Sequence, residues 1–116
     1  MTKKDSLILK GMTFDKYILK GREVIAVDLM TWANWFKTAK KERIVKQETL
    51  TNGYWVSTVF LGLDHNFGMS GEPLLFETMV FLSKKKLDEQ DMERYSTWEE
   101  AEYGHQQMVK KWKAIK

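Results

Sequence analysis

Two apolar runs of strand length, separated by a short polar tip, constrain the fold of this chain more than any other feature. They lie within residues 56–81, and the tip carries Asp64, His65, Asn66 and the only proline, Pro73. Because polar groups held between two stiff strands often form functional sites in small proteins, the tip is a candidate site. The alternative is that the same residues make an ordinary hairpin connection.

Further apolar runs predict more strands, and turn signals separate several of them. Gly21-Arg22 lies between two short runs that predict a small hairpin. Asn52-Gly53 predicts a second hairpin, since both residue types tolerate positive φ. The predicted strands cover residues 16–21, 23–27, 44–50, 54–63 and 74–82, with one more short strand at 93–95. The highly charged segment 84–91 is predicted to be a loop.

Two segments carry apolar residues at helical spacing. Asp28 is expected to cap a helix over residues 29–40, and Ser96 with Glu99 forms a capping box that begins a second helix. The first stripe contains Leu29, Trp32, Ala33, Phe36 and Ala39, and the second contains Trp98, Ala101, His105, Met108, Trp112 and Ile115. The sequence therefore predicts an α+β fold, with two helices packed on one face of an antiparallel sheet of four to six strands, in the order ββαββββα.

Length and composition bound the kind of protein. The chain has 116 residues, which predicts a single domain, with residues 1–12 as a loosely attached N-terminal segment. Because there is no cysteine, disulfides, thiolate metal sites and cysteine nucleophiles are excluded. No apolar run approaches the roughly 20 residues of a membrane span, and the N-terminal apolar run is too short for a signal peptide. We therefore expect a cytoplasmic protein that does not enter a membrane.

Two titratable residues lie inside apolar patterns and are the candidate catalytic residues. His105 follows Gly104 within the stripe of the second helix. A histidine aimed at the sheet there could act as acid, base or ligand, and the alternative is a core histidine with a satisfied hydrogen bond. Glu77 lies in the middle of an apolar strand. It is either a buried carboxylate paired with His105, Arg94 or Lys46, or a solvent-facing residue on an uncovered face.

A metal site is one alternative for these residues. Asp64 and His65, joined by Glu77 and His105, would make a mixed nitrogen and oxygen ligand set able to hold zinc or manganese. Adjacent residues project in opposite directions from an extended chain, so Asp64 and His65 share an ion only if the chain turns there. Phosphate-loop, dinucleotide-binding and hydrolase motifs are absent. No cofactor is therefore predicted, a divalent metal is the alternative, and a binding protein is favoured over an enzyme.

Nucleic-acid binding is a second alternative. The net charge is +3, and lysines cluster at residues 37–43, 84–86 and 110–116. Aromatic side chains on a sheet can stack bases, but the glycine-and-aromatic motif of an RNA-recognition sheet is missing. Lysines near helix ends and loops are more typical of solvated structural charge.

Three segments resemble a group of small proteins encoded by bacteriophages and prophages. They are VSTVFLGLDHNFG, LLFETMVF and ERYSTWEEAEYGH, and the similarity covers residues 54–109, roughly half the chain. The tip departs from the glycine-rich run of that pattern. The resemblance implies an accessory phage protein made in the bacterial host cytoplasm. Its polar positions fall on Asp64, His65, Glu77, Thr78, Arg94, Tyr95, Ser96, Glu100 and His105 of this chain.

A binding protein is the function that this resemblance and the missing cofactor motifs favour. The expected partner is a host or phage protein, and modulation of a host enzyme or inhibition of a defence system would be examples. Trp35, Trp55 and Phe67 are candidate anchors, because aromatic residues dominate interface energetics, and Asp64 and His65 are candidate binding residues at the tip. The alternative is a small metal-dependent or acid–base enzyme that uses Asp64, His65, Glu77 and His105.

Overall fold

The computed structural model describes residues 16–66 and 71–115 of the chain. Within them, six strands and two helices follow one another in the predicted order ββαββββα. The elements are β1 (Lys16–Lys20), β2 (Glu23–Val27), α1 (Leu29–Thr38), β3 (Ile44–Thr49), β4 (Trp55–Phe60), β5 (Phe76–Phe81), β6 (Glu89–Tyr95) and α2 (Trp98–Lys113). The predicted α+β class is confirmed. The strands form two antiparallel sheets, a β1–β2 hairpin and a four-stranded meander in the order β3-β4-β5-β6.

The four-stranded sheet has two distinct faces. On the face against α2, Val56, Thr58 and Phe60 of β4 lie opposite Val80, Thr78 and Phe76 of β5, and all six are buried. We call this the covered face. The opposite face, which we call the open face, carries the alternate residues of the same strands, Trp55, Ser57, Val59, Glu77, Met79 and Phe81. Strand alternation therefore decides which polar residues can meet α2.

The capping box of α2 lies one residue later than predicted. Thr97 is the N-cap, and its hydroxyl oxygen accepts from the Glu100 amide at 3.1 Å while the hydroxyl donates to the Glu100 carboxylate at 3.0 Å. The predicted Ser96–Glu99 pair was wrong because both pairs fit the same sequence pattern. The indole of Trp98 packs edge-on against Phe76, and this contact favours the register in which Trp98 begins the helix.

The turn between β3 and β4 also holds the end of α2. Gly53 has a φ of 98°, as the predicted Asn-Gly hairpin requires. The Asn52 side-chain amide donates to the carbonyl oxygens of Trp112 and Ile115 at 2.8 and 2.7 Å. Those carbonyls lie at the C-terminus of α2 and just beyond it, and the Trp112 carbonyl also accepts from the Ile115 amide at 3.1 Å. One predicted turn therefore both reverses the chain and caps a helix.

The helix α1 buries only part of the predicted stripe, since Trp32 and Phe36 are half-buried and Ala39 is buried. Leu29 and Ala33 are exposed, whereas Trp35 is half-buried and packs edge-on against Phe60, with ring centroids 5.8 Å apart. The helix is capped by Asp28, as predicted, and ends at Thr38, two residues before the predicted end at residue 40. The helix also packs against the hairpin strand β1.

Gly62 is the point where α1 meets the end of β4. Its φ is 78°, and a Cβ atom there would lie 2.6 Å from the ring of Phe36. The Gly62 carbonyl also accepts from the Tyr17 amide at 2.9 Å, which ties the hairpin to the larger sheet. Only glycine allows this conformation and this close approach together.

The edge strand β6 is longer than the sequence pattern indicates. It spans Glu89–Tyr95, so it includes three residues of the segment that was predicted to be a charged loop. Charged side chains are common on edge strands, and they hide the apolar alternation by which strands are recognised. None of the described helices is both long and apolar enough to cross a membrane. The predicted loose segment at residues 1–12 lies outside the described residues.

Candidate functional site

His105 lies at the centre of a buried hydrogen-bond network between α2 and the sheet. Its side chain is 2% exposed. Its Nε2 lies 2.7 Å from the Glu48 Oε2 on β3, and its Nδ1 lies 2.6 Å from the Thr58 Oγ1 on β4. The helix therefore aims His105 at the sheet.

The network continues across the sheet as one chain of contacts. Thr58 Oγ1 lies 2.5 Å from Thr78 Oγ1 on β5, and the Tyr95 hydroxyl on β6 donates to the same Thr78 oxygen at 3.2 Å. All four strands and α2 thus contribute one side chain each. We call these five residues, Glu48, His105, Thr58, Thr78 and Tyr95, the buried polar chain.

The chemistry of the end groups fixes the direction of every hydrogen bond in the buried polar chain. A carboxylate only accepts, so the Nε2–H of His105 donates to Glu48. With its single proton on Nε2, the imidazole accepts at Nδ1 from the Thr58 hydroxyl. The Thr58 oxygen then accepts from Thr78, whose own oxygen accepts from Tyr95. Each donor in the buried polar chain therefore has one acceptor within it.

The pKa values agree with this arrangement. Burial lowers the pKa of His105 below its ordinary value of 6.5, and this outweighs the opposing effect of the Glu48 carboxylate. The hydrogen bond from His105 lowers the pKa of Glu48, and burial raises the pKa of Tyr95. At neutral pH the buried polar chain therefore contains the protonated phenol of Tyr95, the neutral imidazole of His105 and the ionised carboxylate of Glu48.

Gly104 sets how closely α2 approaches the sheet. It is buried, and a methyl group in its place would overlap the ring of Tyr95. The aromatic ring thus lies directly under the helix backbone, beside His105. Glycine next to the histidine is the sequence signal for this close approach.

The order hydroxyl, imidazole, carboxylate is also the order of a nucleophilic triad. In this protein the hydroxyl belongs to Thr58, which is fully buried and already engaged by both His105 and Thr78. A reacting atom has no approach to it. The arrangement therefore holds α2 on the sheet and specifies its register, which is a structural role.

Glu77, the second predicted catalytic candidate, lies on the other face of the sheet. Its Oε2 accepts from the Nε of Arg94 at 3.0 Å, and its side chain is 12% exposed. Of the three partners that the sequence suggested, Arg94 is therefore the one present. Lys46 instead lies 3.5 Å from Glu48, and His105 lies across the sheet. The sheet thus separates the two candidate residues instead of joining them in one site.

The tip residues form a turn. One oxygen of Asp64 accepts from the backbone amides of Asn66 at 2.7 Å and Leu74 at 3.0 Å, so it joins the two sides of the tip. The Nδ1 of His65 lies 3.0 Å from the Leu63 carbonyl oxygen. Across residues 16–66 and 71–115, no three histidine or acidic side chains are grouped as a metal site would require.

The three predicted aromatic anchors lie in different places. Trp55 stacks on Phe81 of the open face, with ring centroids 5.5 Å apart. Trp35 packs into the core against Phe60, and Phe67 lies outside the described residues. Their role in binding stays a prediction.

A groove between β6 and α2 is a feature that sequence reasoning missed. It has a volume of about 670 Å³. The β6 side contributes Asp91, Glu93 and Tyr95, and the α2 side contributes Glu99, Glu100, Tyr103, Gly104, Gln107, Met108 and Lys111. We call it the β6–α2 groove. Its sequence signal was that acidic and aromatic residues occupy the alternate positions 91, 93 and 95.

The β6–α2 groove is acidic, and part of that charge has no partner. Burial alone would raise the pKa of Asp91, but hydrogen bonds from Lys111 at 2.8 Å and Trp112 at 2.9 Å lower it below its ordinary value. Asp91 and Lys111 both line the groove. In the described parts of the chain, the carboxylates of Glu93 and Glu99 make neither an ion pair nor a hydrogen bond.

Comparison with known proteins adds nothing to what this geometry indicates about function. No protein-family model matches the chain, and no curated protein or solved structure matches it significantly.

Proposed function

We propose that this protein acts by binding another protein, and that the β6–α2 groove holds the partner. The observation that carries the proposal is the lining of the groove, where exposed Tyr103 and buried Met108 lie beside unpaired carboxylates. Tyrosine and methionine are enriched at protein interfaces, where they supply apolar contact area inside a polar rim.

The placement of the titratable groups favours binding over acid–base catalysis. The neutral His105 is sealed beneath α2, and Glu77 is paired with Arg94 on the opposite face. The groove itself presents carboxylates and phenols that a partner can reach. Its acidic lining also disfavours a nucleic-acid ligand, because phosphates would be repelled.

The resemblance to small phage and prophage proteins supports a bacterial host protein or another phage protein as the partner. The protein would then act in the host cytoplasm as an accessory factor, for example by modulating a host enzyme or inhibiting a defence system. Such a role needs a recognition surface and no bound cofactor.

The test compares two exposed apolar side chains, one inside the groove and one outside it. Tyr103 lines the groove and is 65% exposed, whereas Leu87 lies in the loop between β5 and β6 and is 62% exposed. Immobilised wild-type protein and each alanine variant are incubated with host lysate, before and after phage infection. We expect Tyr103→Ala to retain about tenfold less of the specific partner, as for an interface hot spot.

The Leu87→Ala variant is the control and should retain the partner at the wild-type level. Equal retention by all three proteins would contradict the assignment of the groove. Retention that Leu87→Ala abolishes and Tyr103→Ala leaves intact would move the binding surface to the loop.

A further inference from the structure

The strand β6 is an edge of the four-stranded sheet, and the groove runs along it. The strand order ends at β6, so within the described residues its outer edge has no strand beside it. It is seven residues long, which is long for an exposed edge. The backbone N–H and C=O groups of such an edge are a template for pairing with another extended segment.

The side chains of β6 that face α2 fall at every second position. Asp91, Glu93 and Tyr95 share the covered face, because they lie opposite Val80, Thr78 and Phe76 of β5. A segment paired with the outer edge would lie about 4.8 Å from β6, and its own alternate side chains would enter the groove. Cross-strand neighbours on one face interact directly, so those side chains would meet Glu93.

Charge selects the kind of segment. Asp91 is already paired with Lys111, whereas Glu93 and Glu99 have no partner in the parts of the chain that the structure describes. Glu99 lies in the first turn of α2, where a carboxylate stabilises the helix dipole, but Glu93 on β6 has no such role. A lysine or arginine entering the groove would pair with Glu93 and lay its aliphatic stem on Tyr103.

The same charge argues against a second copy of this chain as the occupant. Pairing of two β6 edges would bring acidic side chains of both copies to one groove. Like charges on neighbouring strands are destabilising. A basic segment from a different protein would be attracted to the acidic groove, whereas a second copy would be repelled by it.

We propose that the partner is a protein with an extended segment that carries lysine or arginine at every second position, and that this segment adds to β6 as a fifth strand of the sheet. This inference rests on the proposed function and specifies its ligand. The main chain of the segment would supply affinity through strand pairing, and its basic side chains would supply specificity through Glu93 and Glu99.

The test uses synthetic peptides of about nine residues, long enough to span β6 at about 3.4 Å per residue. One peptide alternates lysine with threonine or valine, a second has the same composition with the lysines grouped at one end, and a third alternates glutamate. We expect the alternating basic peptide to bind the full chain at least about tenfold more tightly than either control, because only it matches the register of the charges.

Variants and backbone methylation distinguish the charge contacts from the strand pairing. Glu93→Gln should weaken the alternating peptide by about tenfold, whereas Glu23→Gln, which removes an exposed carboxylate of β2, should leave its affinity unchanged. The alternating peptide is also N-methylated at every second residue, at either the odd or the even positions. One of these two patterns should abolish binding and the other should not, because only alternate amides of an added strand face β6. Hydrogen exchange of the β6 amides should slow when the alternating peptide binds.

Each failure has a separate meaning. Equal binding by the grouped and alternating peptides, or binding that neither methylation pattern affects, would overturn strand addition. Sedimentation that shows self-association strengthened by Glu93→Gln would assign the edge to a second copy and overturn the basic ligand. If none of the three peptides binds the wild-type protein, while Tyr103→Ala still reduces partner capture, this inference is overturned and the proposed function is left intact.

Discussion

The two faces of the four-stranded sheet each hold a polar pair among apolar neighbours, but they satisfy it differently. On the covered face, His105 joins Glu48 and Thr58 in a chain that no solvent reaches at its centre. On the open face, Glu77 pairs with Arg94, whose side chain is 30% exposed. The His105 imidazole is 2% exposed and depends on protein partners for both of its hydrogen bonds, whereas the Arg94 guanidinium can exchange its protein partner for water. Similar residue types therefore have different energetic importance.

Removal of the imidazole should produce the largest effect. His105→Ala leaves the Thr58 hydroxyl without its acceptor and creates a cavity beneath α2. We expect the free energy of unfolding to fall by about 3 kcal/mol, from the lost hydrogen bonds and the cavity together. Urea denaturation followed by far-UV circular dichroism measures the change. A loss below about 1 kcal/mol would contradict a role for the buried polar chain in holding α2 on the sheet.

Gly104→Ala should be the next most damaging change, because its methyl group would overlap the Tyr95 ring. Overpacking of this kind destabilises proteins by about 2 kcal/mol. Gln107→Ala, an exposed position on the same helix, is the control and should have little effect. Thermal and urea unfolding give both values. If Tyr95→Ala does not reduce the effect of Gly104→Ala in the double variant, the clash is not its cause.

Acid should weaken the covered face through His105. Its pKa is lower in the folded protein than in the unfolded chain, so the unfolded state binds more protons below about pH 6.5. The free energy of unfolding should therefore fall as the pH drops from 7 toward 5. Glu48, whose pKa is also lowered, adds a further loss below about pH 4.5. Urea titrations at each pH should show that the free energy of unfolding of His105→Gln changes less between pH 7 and 5 than that of the wild type. An unchanged slope over this range would refute the assignment of the pH dependence to His105.

The open face should give the smallest effect. Glu77→Gln keeps the shape of the side chain and removes its charge, while Arg94 retains access to water. We expect a loss of about 1 kcal/mol or less in the free energy of unfolding, as for other partly exposed ion pairs. A double-mutant cycle with Arg94→Met isolates the pair. A coupling as large as the effect of His105→Ala would remove the distinction between the two faces.

Sequence periodicity was sufficient for the order of the elements but not for the site. It placed His105 on the inner side of α2, yet its acceptor Glu48 lies 57 positions earlier, on a strand whose alternation is imperfect. Glu77 and Thr78 are adjacent in β5, and only the position of α2 decides which of them is covered. Ser96 and Thr97 fit the capping pattern equally well. Such choices depend on tertiary packing that local patterns do not encode.

The β6–α2 groove escaped sequence reasoning for a related reason. One wall is a charged edge strand that reads in part as a loop, and the other is the side of α2 next to its apolar stripe. Neither wall is apolar enough to be noticed alone. Their proximity follows from the close approach that Gly104 allows, so the covered face determines where the groove forms.

Photo-crosslinking from two neighbouring glutamines tests most directly whether the partner lies in the groove. Gln106 and Gln107 are both exposed on α2, but only Gln107 lines the groove. A photoreactive phenylalanine analogue is placed at each position, and the protein is irradiated in host lysate that contains the partner retained by the wild type. The account predicts a crosslink to that partner from position 107 and little or none from position 106. Equal crosslinking from both positions, or crosslinking from 106 alone, would contradict it.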